Sequence, residues 1–222
     1  VTDTALPALV MFDLENDEIE QWGKSGPGTL VKPIGLTSDN SGRVYVCDAG
    51  NARVVVFDQD GNYLNDFGGS EIFVNPVAVA VNDQLGQIYV VDSQQHQVVV
   101  FDMEGQKLFS FGDKGNLPRY VRFPTAIAIA ANGDLYISDS LNFRVQVLEA
   151  DGTFIRQFGE VGQRPGKFSR PKGIALDSDG HVYVVDAAFG NFQIFTENGE
   201  LLLFIGEGGT GPGQFNLPMG IH

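Results

Sequence analysis

The chain has 222 residues, a formal net charge of -14 at pH 7 and a pI near 4.4. This acidity disfavours a protein that binds nucleic acid mainly through phosphate contacts. The single cysteine, Cys47, excludes an internal disulfide framework and a multi-cysteine metal site, and the sequence has no run of about 20 apolar residues that could cross a bilayer.

Four kinds of marker residue recur in the same order along the chain. An aspartate ends a short apolar run, a large apolar residue follows nine positions later, and a glycine and then a proline come next. The last four aspartates are separated by 44, 47 and 47 residues, which indicates a structural repeat. The aspartates are Asp3, Asp48, Asp92, Asp139 and Asp186; the apolar residues are Phe12, Phe57, Phe101, Leu148 and Phe195; the glycines are Gly23, Gly68, Gly112, Gly159 and Gly206; the prolines are Pro33, Pro76, Pro124, Pro171 and Pro218.

Each repeat is predicted to contain four short strands. The first follows the proline, as in residues 125–130, where small and β-branched residues alternate. A turn such as Asn132-Gly133 leads to the second strand, which ends at the aspartate; Asn-Gly and Asp-Gly are strong hairpin signals. A third strand and a second turn, such as Asp151-Gly152, lead to a fourth strand that ends beside the glycine marker.

Four antiparallel strands per repeat, without a helical period, predict an all-β protein. Radial packing of such sheets gives a β-propeller of four-stranded antiparallel blades, whereas a parallel β-helix has a much shorter repeat. We expect a single domain over residues 1–222. In chain order we predict a partial blade at 1–23, full blades at 24–68, 69–112, 113–159 and 160–206, and the start of another blade at 207–222.

Residues 171–195 read Pro-x-Gly-Ile-Ala-x-Asp-x-x-Gly-x-Val-Tyr-Val-x-Asp, followed by a Phe-x-Ile-Phe strand. This pattern resembles the NHL repeat, and the resemblance covers essentially the whole chain. It implies a six-bladed propeller, of which this chain would be a piece truncated at both ends. The alternative is a five-bladed ring closed by pairing residues 218–222 with 1–22. The fold alone does not define a function, because one superfold hosts many activities.

The strand order predicts two unlike faces. Both Xaa-Gly hairpins of a repeat lie on one face, and the long connections between blades lie on the other together with the loops that follow the aspartates. We assign 11 of the 14 basic residues and 9 of the 28 acidic residues to the long-loop face, which gives it about +2 and leaves -16 elsewhere. Such a field would steer an anionic partner to the long loops. Alternatively, the basic residues pair locally with the repeated aspartates.

The predicted function is a non-catalytic binding scaffold that recognises a protein or an extended, possibly anionic ligand with its long-loop face. The candidate contacts lie in two adjacent blade connections: Arg119, Tyr120, Arg122, Arg164, Lys167, Arg170 and Lys172. The recurring aspartates Asp48, Asp92, Asp139 and Asp186, with Arg53 and Arg144 five residues after two of them, are interpreted as structural. A feature present in every blade is more typical of blade stabilisation than of a single site, and an aspartate at a strand end accepts backbone N–H groups.

A propeller enzyme of lyase or lactonase type, with its site at the channel mouth, is the first alternative. Some lyases similar to this chain hold a metal with histidines just after the first-strand proline. The matching positions here hold no histidine: Ile34, Val77, Thr125, Lys172 and Met219. His96, interpreted as an exposed loop residue, His181 and His222 occupy three different blade positions. We therefore predict no catalytic residue, metal or cofactor, and interpret Cys47 as a buried small side chain.

Binding of single-stranded RNA is the second alternative, because some domains of the NHL family that this chain resembles bind RNA. Arg119, Tyr120, Arg122 and Phe123 combine stacking rings with positive charge. Phe123 is instead predicted to lie in the core, by comparison with Phe168. The chain's acidity makes nucleic acid the less favoured partner. A periplasmic or extracellular location is the expectation.

Overall fold

The computed structural model describes residues 1–3, 6–13 and 16–222, which form two compact units, Val1–Ser110 and Phe111–His222. The described residues contain strands and one 3-10 turn, so the all-β prediction is confirmed. They include no helix with the length and apolar character that crossing a bilayer requires. The backbone of Asp3 ends the first strand, whereas its side chain, the fifth predicted aspartate marker, lies outside the described part.

The first unit contains a three-stranded sheet followed by two four-stranded antiparallel sheets. The last strand of this series ends one residue beyond the unit boundary. The strands are β1 (Thr2–Asp3), β2 (Ala8–Asp13) and β3 (Glu18–Trp22); β4 (Pro33–Ser38), β5 (Val44–Asp48), β6 (Arg53–Phe57) and β7 (Tyr63–Gly68); and β8 (Pro76–Asn82), β9 (Gln87–Asp92), β10 (Gln97–Asp102) and β11 (Lys107–Phe111).

The second unit contains two further four-stranded antiparallel sheets and a short parallel pair. A 3-10 turn, Ser140–Asn142, follows the second strand of the first of these sheets. The strands are β12 (Pro124–Ile129), β13 (Leu135–Asp139), β14 (Arg144–Leu148) and β15 (Phe154–Phe158); β16 (Pro171–Leu176), β17 (Val182–Asp186), β18 (Asn191–Phe195) and β19 (Leu201–Ile205); and β20 (Glu207–Gly208) with β21 (Gln214–Phe215).

The four-stranded sheets have the predicted blade form. Each runs from the proline through the aspartate to the glycine marker, with neighbouring strands antiparallel and in sequence order. The hairpins form where the Xaa-Gly pairs predict them. Gly133, for example, has φ 91°, which a residue with a side chain rarely adopts, and its N–H closes the turn on Ala130 O at 2.9 Å.

Aromatic side chains fill the space between consecutive sheets of the first unit. The Phe67 and Phe101 rings lie with centroids 4.8 Å apart, and Phe73 packs against Phe101 at 5.7 Å. All three belong to one buried cluster with the apolar faces of β5, β6, β9 and β10. Burial of each ring contributes about 1.5–3 kcal/mol, so this cluster is a main source of the first unit's stability.

The second unit repeats the same packing. The Phe158 and Phe195 rings lie 5.0 Å apart, and Phe168 packs on Phe195 at 5.6 Å. These rings join the inner faces of β14, β16 and β17 in a single buried cluster. The same aromatic contact therefore occurs between two consecutive sheets in each unit.

First strands of consecutive repeats approach closely, which explains their small residues. Gly173 of β16 donates its N–H to Met219 O at 2.8 Å, and a Cβ built on Gly173 would lie 2.8 Å from that oxygen. Gly35 of β4 has its nearest neighbours in the backbone of Val77 and Ala78. A side chain at either glycine would push two first strands apart.

The prediction for His96 was wrong. His96 is only 7% exposed and has φ 59°. It occupies the position before the third strand, where Ala52, Phe143 and Gly190 also have positive φ values of 52°, 57° and 62°. The left-handed turn at this position directs the chain into the third strand of every full blade, which places the imidazole against the protein and away from solvent.

The prediction for Phe123 was also wrong. Phe123 is 42% exposed, with φ 51°, whereas Val121 is 1% exposed. Val121 lies three residues before its proline, as Phe168 does before Pro171, and this spacing defines the core position. Phe123 directly precedes Pro124 and is therefore outside that position.

Candidate functional site

Two long connections in the second unit share one backbone design. We name residues 113–123 loop A and residues 160–170 loop B. A parallel bridge closes each loop, between Lys114 and Val121 in loop A and between Val161 and Phe168 in loop B. Val121 and Phe168 each donate their N–H across the bridge at 2.9 Å. Each loop is thus a closed arch whose backbone is held by its own hydrogen bonds.

A buried glutamine on the third strand of the blade anchors each arch. Gln146 of β14 accepts the N–H of Arg119 at 3.1 Å and donates to Tyr120 O at 2.8 Å. Gln193 of β18 makes the same two bonds to the equivalent residues of loop B, at 2.7 and 2.9 Å. Both amides are almost fully buried, so releasing a loop would leave buried polar groups unpaired.

An arginine provides a second anchor for loop A. The Arg144 guanidinium donates to the carbonyls of Asn116, Leu117 and Tyr120 at 3.0, 3.1 and 2.9 Å. Its Nε donates to Asp139 Oδ2 at 2.8 Å. The rigid fork of five donors suits such a set of converging acceptors. Loop A is therefore fixed by both a glutamine and an arginine.

Loop B has the glutamine anchor but no equivalent arginine. The residue 47 positions after Arg144 is Asn191, whose side chain is too short to reach the carbonyls of the loop. A groove of about 220 Å³ lies between loop B and the sheet instead, lined by Arg164, Phe189, Asn191 and Phe204 among others. Asn191 Oδ1 is buried and has no hydrogen-bond partner among the residues that the structure describes.

The repeated aspartates accept backbone N–H groups in all four full blades. Asp92 shows the complete set: Oδ2 accepts from Val74 and Asn75 at 2.6 and 3.0 Å, and Oδ1 accepts from Gln94 and Gln95 at 3.0 and 2.9 Å. The carboxylate thereby ties the connection before the blade to the loop after the second strand. This geometry supports the structural interpretation of these residues.

The other three aspartates are also fully buried, and the two predicted arginine partners differ. Burial raises the pKa of Asp139, while bonds from Asn142 and Arg144 oppose that shift. Arg53 Nε lies 3.7 Å from Asp48 Oδ2, too long for a hydrogen bond. The Arg53 guanidinium instead donates to Asp66 at 2.7 Å and to the carbonyl of Thr29 at 2.8 Å.

The loop A candidates Arg119, Tyr120 and Arg122 are all exposed. Arg119 has φ 72°, and its backbone is fixed by Gln146, so its side chain projects from a constrained position. Tyr120 is 40% exposed. The N–H of Arg122 donates to Asp139 at 2.6 Å, which leaves the guanidinium at the surface.

The loop B candidates are less uniform. The side chains of Arg164 and Arg170 are exposed, whereas Lys167 Nζ forms an ion pair with Glu160 at 2.8 Å. That exposed pair contributes little stability but lowers the local positive charge. Burial lowers the pKa of Lys172, and the Arg170 charge adds to the effect. Arg164 and Arg170 are therefore the two loop B cations best placed to meet a ligand.

The structure brings the C-terminal ends of the two loops together. Thr125 Oγ1, two residues after loop A, lies 3.2 Å from Pro171 O and 3.3 Å from Lys172 O, just after loop B. Each loop contains three basic residues and one acidic residue, so each has a formal charge of +2. We name the exposed part of loops A and B the cationic loop pair.

No metal site is found among the residues described. In residues 1–3, 6–13 and 16–222, no three His, Cys, Asp or Glu side chains come together in an arrangement that could hold a metal ion. His181 lies beside Asp177, with Nδ1 2.9 Å from Oδ2. Cys47 is fully buried as predicted, and burial raises the pKa of its thiol, which leaves it unreactive.

Sequence reasoning missed the anchoring glutamines and the groove. A signal was present, because the third strand has glutamine at 146 and 193 but valine at Val55 and Val99. The glutamines occur in the two blades with the longest preceding connections. Comparison of loop length with the third strand would therefore have predicted Gln146 and Gln193 as anchors. The groove required one further comparison, of Asn191 with Arg144.

Comparison with known proteins gives two matching family models. Residues 28–121 match a model described as a 6-bladed beta-propeller. Residues 121–148 and 168–196 match the NHL repeat. The two models together cover most of the chain from the first full blade to the last.

Two animal proteins contain short, similar stretches. Protein lin-41 of Caenorhabditis elegans is 49% identical over 41 residues, 18% of this chain and 4% of that protein. Protein brain tumor of Drosophila melanogaster is 46% identical over 48 residues, 22% of this chain and 5% of that protein. The matched stretches thus span a very small part of these relatives.

Solved structures of two other kinds share the fold. Virginiamycin B lyase from Staphylococcus aureus superposes with a TM-score of 0.70 at 16% identity, covering 90% of this chain and 64% of the lyase. A chain of a nidogen/laminin complex superposes with a TM-score of 0.73 at 14% identity, covering 96% of this chain and 75% of that one. Identities this low show a common fold alone.

Proposed function

Because the chain belongs to the NHL-repeat β-propeller family, we propose that it is a non-catalytic binding scaffold whose cationic loop pair binds a protein partner. The observation behind the proposal is the anchoring of loops A and B. Buried side chains fix both backbones, while Arg119, Arg122, Arg164 and Arg170 remain exposed. A scaffold that fixes exposed groups before binding loses less conformational entropy when the partner arrives.

A protein partner is favoured over a small substrate. The exposed set spreads over two adjacent loops, which suits an extended surface better than a compact molecule. The similar chain of the nidogen/laminin complex is part of a protein–protein assembly. The formal charge of +2 on each loop favours an acidic segment of the partner, since complementary charge speeds encounter.

The first experiment locates the partner on the molecule. A photoreactive phenylalanine analogue at Tyr120 should cross-link the partner in cells, and the same analogue at Leu85, in an exposed hairpin turn, should not. Mass spectrometry then identifies the cross-linked protein. Equal cross-linking from both positions would contradict the assignment to loops A and B.

The second experiment tests the charge. Arg122→Glu and Arg170→Glu each change the net charge by two units, and Lys107→Glu, at the exposed start of β11, is the matched control. We expect the double variant R122E/R170E to weaken binding of the identified partner at least about 10-fold, mainly through slower association. K107E should bind as the wild type does. Equal effects of R170E and K107E would show that net charge alone acts.

The lyase or lactonase alternative shares its fold with the virginiamycin B lyase. This alternative predicts that the chain converts its ligand into a product, so an activity measurement separates the two functions. A scaffold retains its partner unchanged, whereas an enzyme would convert it and release a product detectable by mass spectrometry.

A further inference from the structure

The groove under loop B lies where the Arg144 guanidinium lies under loop A. The acceptors of Arg144 are the carbonyls of Asn116, Leu117 and Tyr120. Their equivalents 47 residues later are the carbonyls of Gln163, Arg164 and Lys167, and residues 163 and 164 line the groove. Loop B is closed by the same bridge and the same glutamine as loop A. Loop B therefore presents a corresponding set of carbonyls without a guanidinium.

Two equivalent carbonyls, one in each loop, show how the acceptors work. Tyr120 O accepts from both Arg144 and Gln146, one bond for each lone pair. Lys167 O, the equivalent atom in loop B, accepts from Gln193 at 2.9 Å. No second donor to Lys167 O is found among the described residues, so its other lone pair is available for a donor placed where the Arg144 guanidinium lies in loop A.

Asn191, which lines the groove, has a buried acceptor with no partner in the described part of the chain. Asn191 Oδ1 is buried without a hydrogen bond from any residue that the structure describes. Such an unpaired group is expensive, and a donor that reached it would remove the penalty. Asn191 thus points to a ligand with N–H groups.

Charge and aromatic groups favour a cation in the same place. Asp186, the equivalent of Asp139, is fully buried and accepts backbone N–H groups from both connections. Within the described part of the chain it has no cationic side chain within 4 Å, unlike Asp139 with Arg144 at 2.8 Å. Glu207 lies at the groove, and Phe189 and Phe204 line it. Planar guanidinium groups stack on aromatic faces and pair with carboxylates in two parallel bonds.

We propose that the groove under loop B binds the guanidinium of an arginine side chain that a protein partner presents. The groove volume of about 220 Å³ is below the range of about 300–1,000 Å³ typical of drug-sized ligands, which fits a single side chain. Arg164 at the rim limits the affinity by like-charge repulsion. This proposal rests on the proposed function in one respect, that a protein partner supplies the arginine. Binding of a guanidinium group to the groove is measurable without any partner.

The test uses the full chain and two small probes. N-acetyl-L-arginine methylamide and N-acetyl-L-lysine methylamide each have one positive charge, and only the first has a planar fork of donors. Titration is followed by NMR on the Asn191 side-chain amide. We expect saturable shifts with the arginine probe at a dissociation constant on the order of 1 mM, and at least about 10-fold weaker binding of the lysine probe. Equal shifts with both probes, or none with either, would overturn the proposal.

Two substitutions at Asn191 separate binding from folding. Asn191→Arg supplies the missing guanidinium from within, so the probe should no longer bind and the melting temperature should rise by a few degrees. Asn191→Leu keeps the side-chain volume and removes the acceptor, so binding should weaken several-fold with the circular dichroism spectrum unchanged. Undiminished probe binding by folded N191R would refute the site.

Arg144→Asn provides a gain-of-site control. It should create a second groove under loop A and raise the number of arginine probes bound from one to two. If R144N fails to fold, the two Asn191 variants still decide the question.

A final comparison distinguishes a partner's arginine from a free guanidinium compound as the ligand. It also separates the failure of the groove proposal from the failure of the proposed scaffold function. Once the partner is identified, N191R should weaken its binding while R122E/R170E weakens it independently. Probe binding with no effect of N191R on the partner would mean that the groove accepts free guanidinium compounds only, which refutes a partner arginine and leaves the proposed scaffold function intact.

Discussion

At the scale of single residues, the buried aspartates depend on hydrogen bonds from backbone N–H groups that the fold brings together. Asp92 receives four backbone N–H groups, two on each carboxylate oxygen. Asparagine in its place would turn an NH2 group toward two of these donors. We expect Asp92→Asn to lower the free energy of unfolding by about 2–4 kcal/mol, measured by urea denaturation. Asp60→Asn, at an exposed hairpin position, should change it by less than about 0.5 kcal/mol.

Asp177 gives the protein a defined response to acid. Partial burial would raise the pKa of Asp177, but hydrogen bonds from His181 and Tyr183 outweigh this and lower it from 3.8 to about 2. The folded state therefore holds the carboxylate proton less strongly than the unfolded state. The stabilisation from Asp177 is fully present above pH 4 and is lost as the pH falls to about 2.

The measurement compares wild type with Asp177→Asn. The difference between their free energies of unfolding should shrink as the pH falls from about 4 to 2. A difference that stayed constant to pH 2 would mean that another group causes the acid sensitivity of this hairpin.

At the scale of elements, each long loop depends on one glutamine. Gln146→Val places in β14 the residue that Val55 and Val99 provide in blades with shorter connections. Arg119 N–H and Tyr120 O would each lose a buried partner. We expect faster amide hydrogen exchange in residues 113–123 and unchanged exchange in 160–170.

The reciprocal variant is the control for this prediction. Gln193→Val should loosen loop B and leave loop A protected, because Gln193 hydrogen-bonds to Gly166 and Lys167 of loop B. If either substitution loosened both loops, the anchoring would be a property of the whole sheet and not of one amide.

Local patterns were sufficient to predict the strands and the blades. The proline, aspartate and glycine markers defined β4 to β19 because hairpin turns and alternating burial are encoded within about ten residues. The exposed positions of Arg119 and Arg170 followed from that frame. The core position in loop A was predicted wrongly. It is Val121, which is defined by its distance of three residues from Pro124, whereas the larger apolar side chain nearby is Phe123.

Long-range hydrogen bonds could not be predicted from a single strand and required comparison between blades. The bonds from Gln146 to loop A join residues 26 and 27 apart, and nothing local to β14 distinguishes an anchoring glutamine from an exposed one. His96 was misplaced for a related reason, since its left-handed backbone is imposed by the turn before the third strand. Partners distant in sequence decide such features.

At the scale of the whole molecule, the net charge of -14 repels a polyanionic partner, whereas the cationic loop pair attracts it. An acidic peptide segment meets only the local field at loops A and B, because charges more than about 8 Å away are largely screened at physiological salt. A nucleic acid extends much further and also meets the acidic remainder of the surface. The same loops should therefore bind a short acidic protein segment better than RNA.

The corresponding prediction is weak binding of single-stranded RNA. A fluorescently labelled 12-nucleotide uridine strand should show no saturable anisotropy change up to about 10 μM protein at 150 mM salt, since non-specific binding lies in the range of about 1–100 μM even for basic proteins. Lowering the salt to 20 mM should produce at most weak binding. Saturable binding below about 1 μM that R119E/R122E abolishes and K107E preserves would reverse the conclusion, because the stacking ring of Tyr120 and the loop A arginines would then outweigh the charge of the whole chain.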